Sequence, residues 1–166
     1  GVPRRDAVAF VISDKAYVGS GIDNADALIG NPLKDFWRYD PLLNSWTSVT
    51  DYPGGGGMGV YLATAFVLDD KAYMVCGKRG GNFYLDEIWE YKPYYNSWTQ
   101  RADFPGGARY QMCSFTVAGR AYVGLGADYN TYRDELWEYN AGNGIWTPIS
   151  DFPGGARAAV SSFTLG

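Results

Sequence analysis

The six tryptophans of this 166-residue chain fall into three pairs, Trp37/Trp46, Trp89/Trp98 and Trp137/Trp146, each nine residues apart, with none left over. Corresponding members recur after 52 and then 48 residues. The turn prolines Pro53, Pro105 and Pro153, in Asp51-Tyr52-Pro53, Asp103-Phe104-Pro105 and Asp151-Phe152-Pro153, keep the same two intervals. A unit of about 50 residues lies in the range of β-propeller blades, whose sheets stack side by side around an axis.

Each unit divides into four strands by pattern. The first is a nearly continuous apolar run, at Ala7 to Ile12, Ala63 to Leu68 and Cys113 to Ala118. A run of that kind suits a strand covered on both faces, as the innermost strand of a blade is. Short turns at Ser13-Asp14, Asp69-Asp70 and Ala118-Gly119 lead into second strands at Lys15 to Gly19, Lys71 to Val75 and Arg120 to Gly124. The third strands alternate, as Phe36-Trp37-Arg38-Tyr39, Ile88-Trp89-Glu90-Tyr91 and Leu136-Trp137-Glu138-Tyr139. Successive side chains switch faces, so Trp and Tyr share one face and are expected to pack on the neighbouring blade. The fourth strands start at Trp46, Trp98 and Trp146 and end at the Asp-aromatic-Pro signal. The fold class expected is all-β, with three four-stranded antiparallel blades. They occupy residues 4–50, 60–102 and 109–150, and an extra first strand follows at 157–165.

These residues resemble the Kelch repeat. The matching elements are the apolar first strand, the glycine closing the second strand, and the third turn with the tryptophan that follows it. Tyr39-Asp40-Pro41 with Asn44-Ser45-Trp46 is the closest copy. The family's double glycine is split or degraded here, as Gly19-Ser20-Gly21, Cys76-Gly77 and Gly124-Leu125-Gly126, which looks more like bacterial Kelch proteins than animal adaptors. The resemblance implies a binding scaffold. Export is common in bacterial Kelch proteins, so it also implies an extracellular or periplasmic location.

Composition removes several chemistries. The chain has no His, and so lacks the commonest general base near neutral pH and the commonest transition-metal ligand. That disfavours copper chemistry of the galactose oxidase kind, and no cofactor is expected. With 14 Lys+Arg against 18 Asp+Glu the formal charge is −4, which argues against nucleic acid or an anionic membrane as partner. No apolar run approaches the length of a membrane-spanning helix. Cys76 and Cys113 sit in different apolar strands and read as buried thiols. Gly54 to Gly57 is not followed by Lys-Ser or Lys-Thr, so it reads as an elongated blade junction and not a phosphate loop. Asp23, Asn24 and Asp26 offer calcium-type oxygens without the terminal Glu of an EF-hand, and read as a solvated turn.

Residues Arg157 to Leu165 align with Arg109 to Val117. Three blades and one strand do not close a ring, because propellers use about four to eight blades. Two accounts are open: two chains joining head-to-tail into a six-bladed homodimer, or a cut piece of a longer propeller.

In an antiparallel blade the connection between strands two and three lies on the same face as the connection between blades. On that face the loops differ in length and residues while the strands stay alike, and variable loops of repeat proteins form binding surfaces. The face offers Lys78, Arg79, Asn82 and Tyr84 from the second blade, and Asp128, Tyr129, Asn130, Tyr132 and Arg133 from the third. The junctions add Arg4, Arg5, Arg109 with Tyr110, and Arg157. Arginines directly before the innermost strand are expected to project toward the mouth of the central channel. Arginines at this place in Kelch proteins often contact acidic ligands, which the resemblance carries to Arg109 and Arg157. A second role is equally open: hydrogen bonding to carbonyl groups that holds adjacent blades in register. Blade two has glycines and Met58 where its arginine is expected. Tyr84, Tyr129 and Tyr132 are the tyrosines suited to stacking on a sugar or a peptide side chain.

The reading is a binding or scaffold module for a protein segment or glycan, not an enzyme by itself. The alternative is a sugar-modifying enzyme resembling the Kelch-type sialic acid mutarotases. That chemistry needs a carboxylate beside the arginines, whereas Glu87, Glu90, Glu135 and Glu138 are expected to lie away from the channel.

Overall fold

The structure is a computed structural model that describes residues 1–24 and 30–162. Asp26 and the predicted strand residues 163–165 lie outside the described residues.

Three four-stranded antiparallel sheets account for the regular structure. Blade one is β1 (Val8–Ile12), β2 (Lys15–Gly19), β3 (Phe36–Asp40) and β4 (Ser45–Val49). Blade two is β5 (Thr64–Leu68), β6 (Lys71–Lys78), β7 (Tyr84–Lys92) and β8 (Ser97–Arg101), and blade three is β9 (Cys113–Val117), β10 (Arg120–Gly124), β11 (Leu136–Asn140) and β12 (Ile145–Pro148). The hairpins joining first to second strands turn through pairs with positive φ: Ser13/Asp14, Asp69/Asp70 and Ala118/Gly119. That handedness matches the twist of the flanking strands.

The first strands β1, β5 and β9 approach one another directly, which makes them the inner wall. Hydrogen bonds step along that wall from blade to blade at matching places. Leu62 N–H donates to Asp6 O (3.1 Å), Gln111 N–H to Leu62 O (3.0 Å) and Ala159 N–H to Gln111 O (3.1 Å). Residues 157–162 therefore follow the course of a fourth first strand. They are not paired as a strand, because among the described residues no second strand lies beside them.

One position of the degraded glycine pair stays glycine in every blade. Gly21 and Gly126 have φ of 90° and 85°, and a Cβ on either would lie 2.7 Å from the Arg5 or Tyr110 carbonyl oxygen. The preceding Ser20, Cys76 and Leu125 also have positive φ, but their side chains are accommodated in the interior.

Two apolar layers hold the blades together. Between blades one and two, Phe10, Tyr17, Phe36 and Tyr52 meet Met74, Tyr91, Trp89 and Trp98. Between blades two and three, Phe66, Tyr73, Ile88 and Phe104 meet Val123, Tyr139, Trp137 and Trp146. The Trp/Tyr faces of β7 and β11 thus pack on the preceding blade, as the alternation requires. Cys76 and Cys113 are buried free thiols. Burial in the second layer pushes the Cys76 thiol far above its ordinary range.

Among the described residues Glu90 is the one buried carboxylate. It accepts from Tyr73 Oη (2.9 Å) and Arg101 Nη2 (2.7 Å). Burial alone raises its pKa, but the hydrogen bonds from Arg101 and Tyr73 outweigh that and hold it low.

Candidate functional site

Blade two departs from its neighbours on the loop face. Its central strands run to eight and nine residues where the others have five, so the β6–β7 hairpin stands above the disc. A register shift between Val75 and Gly77 re-aims the end of β6. Lys78 then pairs across the sheet with Tyr84 on one side and with Tyr61, just before β5, on the other. Cross-strand neighbours present their side chains on the same face.

The Lys78 ammonium consequently lies among aromatic rings. Its Nζ is 5.0 Å from the Tyr84 centroid, 5.1 Å from Tyr110 and 5.8 Å from Tyr61. Tyr110, before the first strand of blade three, stacks on Tyr84 at 5.2 Å, and Tyr129 meets Tyr84 edge-on at 6.2 Å. No carboxylate of the described residues lies within ion-pair distance of Lys78. Desolvation raises the Tyr61 phenol, and desolvation with the neighbouring Tyr110, Tyr129 and Asp128 raises that of Tyr84. Both remain neutral hydroxyls at physiological pH, able to donate and to accept.

Four of the expected residues, Lys78, Tyr84, Tyr110 and Tyr129, are brought together here. Tyr61 was not singled out from the sequence. Its signal is the repeat itself, because it stands 49 residues before Tyr110 at the same place in the unit. Tyr132 is exposed and has no ring partner among the described residues.

The arginines require a correction. Arg109 does not project into the channel mouth, because its guanidinium turns into the blade junction and is 1% exposed. It donates to Glu135 (3.0 Å), Leu125 O (3.4 Å) and Gly106 O, and lies 5.2 Å over the Phe104 ring. Arg4 repeats this in blade one, with both Nη groups on the Asp35 carboxylate at 2.7 Å and Nη1 on Ser20 O. Arg157 makes the equivalent contacts to Gly154 O, Gly155 O and the Phe152 ring, but is exposed. In blade two the place belongs to buried Val60. The physical reason is local: the Gly-Gly turn exposes carbonyls and the preceding aromatic offers a ring face, so the cation is satisfied without reaching the channel. Glu135, expected to lie away from the channel, is the partner of Arg109 in the blade junction.

The remaining candidates have local roles. Arg5 is exposed and pairs with Asp6 at 2.6 Å. Arg79 lies over the exposed Phe83 ring at 4.8 Å. Asp128 closes its own loop by accepting from the Asn130 and Thr131 amides, both at 2.8 Å, and from Arg133 Nε at 3.0 Å. Those bonds hold its carboxyl well below the usual range. Among the described residues no group of three or more acidic or Cys side chains is placed to hold a metal ion.

A family model described as the Kelch motif matches residues 3–51, which is blade one. The chain is also similar to the solved structure of YjhT, with 17% identity and a TM-score of 0.77 over 93% of this chain. The fold is that of a Kelch-repeat β-propeller. The match takes in 54% of the YjhT chain, so this chain spans about half the length of that structure. None of the curated proteins matches it.

Proposed function

We propose that this Kelch-type chain is a binding module whose ligand site is the tyrosine box around Lys78, and that it takes a glycan carrying an acidic group. The observation that carries this reading is an ammonium with no carboxylate partner, held among rings at the channel-side edge of two blades. Flat tyrosine faces suit the apolar face of a sugar ring, and their hydroxyls suit its hydroxyls. Lys78 supplies a cation in the box for a carboxylate. The arginine and carboxylate pairs that sugar-modifying chemistry needs are spent on blade junctions, with Arg109 buried against Glu135.

Calorimetric titration with a panel of neutral and uronic-acid oligosaccharides tests the proposal. Saturable binding of acidic members is expected, weakened at least tenfold by Lys78→Met and by Tyr84→Ala. Binding that both variants leave untouched removes the box as the site. Conversion of a bound sugar instead of simple binding sinks the binding-module reading.

A further inference from the structure

The face opposite the loops carries a cavity lined by none of the tyrosine-box residues. It lies inside the stack, between blades one and two, bounded by the β1–β2 and β5–β6 hairpins and by the turn that joins β7 to β8. Buried Ile12 and Tyr17 form its floor, and its volume is about 490 Å³. Small-molecule sites occupy roughly 300–1,000 Å³. Ser13 Oγ donates to Asp70 at 3.4 Å and ties the two hairpins together.

The charges around this cavity are unbalanced in a way the other blades avoid. In blade one, Lys15 opens β2 and pairs at 2.8 Å with Asp40, one step past the Ala16–Tyr39 pair. In blade three, Arg120 opens β10 with Asn140 at that place, and finds Glu138 at 2.8 Å instead. Blade two has neither solution. One step past its Ala72–Tyr91 pair, Lys71 faces Lys92, and like charges so placed repel. Glu90, the counterpart of Glu138, is buried and taken by Tyr73 and Arg101, with Lys92 Nζ 3.3 Å away. Lys71 is left with no carboxylate of the described residues within ion-pair distance, and its neighbours Asp69 and Asp70 with no cation. All three line the cavity.

The turn beside these charges is also peculiar to blade two. Pro93–Tyr95 forms a short 3₁₀ helix whose two tyrosines are exposed and meet edge-on at 4.9 Å. At the junction of blades two and three the hollow in the same place, about 320 Å³, has Gly142 for Tyr94, and its Arg120 is already paired with Glu138. Of the two hollows, only the first combines an unpaired cation with unpaired anions and exposed tyrosines.

We infer that this cavity binds a small zwitterion of the amino-acid class that carries an aromatic ring. The ligand carboxylate lies between Lys71 and Lys92, its ammonium on Asp69 and Asp70, and its ring against Tyr94 and Tyr95. A carboxylate between the two lysines relieves their repulsion across the strands. Because Asp69, Asp70 and Lys71 are consecutive, the charges they take must lie close together in the ligand, as they do on an α-amino acid. Ring packing on the tyrosines adds to the apolar floor. The inference does not rest on the ligand proposed for the tyrosine box.

Titration of the nitrogen-15-labelled chain with L-phenylalanine, followed by amide shifts, tests it. At about pH 6 both charges of the amino acid and of its single-charge derivatives are in place. Saturating shifts centred on residues 69–71 and 92–96 are expected at up to about 10 mM ligand. N-acetyl-phenylalanine and phenylalanine amide are each expected to bind roughly tenfold more weakly or worse. Lys71→Met and Asp70→Asn are each expected to weaken phenylalanine binding by a similar factor, whereas Lys78→Met leaves it unchanged. Asparagine tolerates the φ of 55° at position 70, so that variant keeps its hairpin. An absence of saturating shifts overturns the inference, as do shifts centred on the loop face. Equal binding of either single-charge derivative, or an affinity that both cavity variants leave untouched, overturns it as well.

Discussion

Arg109→Ala separates a blade clamp from a ligand residue. The guanidinium is buried, makes one charge-assisted bond to Glu135 at 3.0 Å and two bonds to carbonyls, and lies on the Phe104 ring. A hydrogen bond involving a charge contributes about 1.5–3 kcal/mol, and a desolvated cation over a ring adds about 1–2. Against this, Nε is buried without a partner, which already costs about 1–3 kcal/mol, and Glu135 is partly exposed and rehydrates once freed. The net expectation is a loss of about 2–3 kcal/mol. For a domain of this size that lowers the thermal midpoint by roughly 4–12 °C, at a fixed protein concentration. Arg157→Ala, with the same local contacts in an exposed setting, is expected to cost less than about 1 kcal/mol. Scanning calorimetry of the two variants beside the parent reads both numbers. An Arg109 variant with an unchanged midpoint and lost ligand binding refutes the clamp.

Two further outcomes follow from the first aromatic layer. Asn96→Ala removes the acceptor shared by Tyr91 and the Thr50 amide and places alanine at a φ of 46°, so a loss of about 2–3 kcal/mol by urea denaturation is expected. Asn44→Ala meets the same φ penalty at 47° and loses the same tyrosine bond, so it is expected to cost about 1 kcal/mol less, because among the described residues no amide of another blade donates to Asn44. Burial raises the Tyr91 phenol to about 12. Its unfolded value is about 10, so this contribution to stability is complete below that pH and drains away as pH climbs toward 12. Urea midpoints measured across that window are expected to fall more gently in Tyr91→Phe than in the parent.

Much of this molecule is legible in its residues. The tryptophan period set the blade count, and the apolar runs with polar turns placed first and second strands within a residue of where they lie, except β6, which runs three residues past Val75. Trp89, Tyr91, Trp137 and Tyr139 could be assigned to the inter-blade face because strand side chains alternate, a rule that needs no tertiary knowledge. The candidate site was only half legible. Tyr84, Tyr110 and Tyr129 were marked as loop aromatics, yet nothing local says that a bulge after Val75 turns Lys78 into line with Tyr61 and Tyr84.

The sequence alone determined what repeats: the strand order, the faces that must be covered and the turns that carry positive φ, since each depends on neighbours along the chain. Only the tertiary structure decided which way the arginine before each first strand points. The turn carbonyl and the ring are local, but the Leu125 carbonyl and the Glu135 carboxylate that bury the Arg109 guanidinium come from blade three, and Arg157, with the local contacts alone, stays exposed.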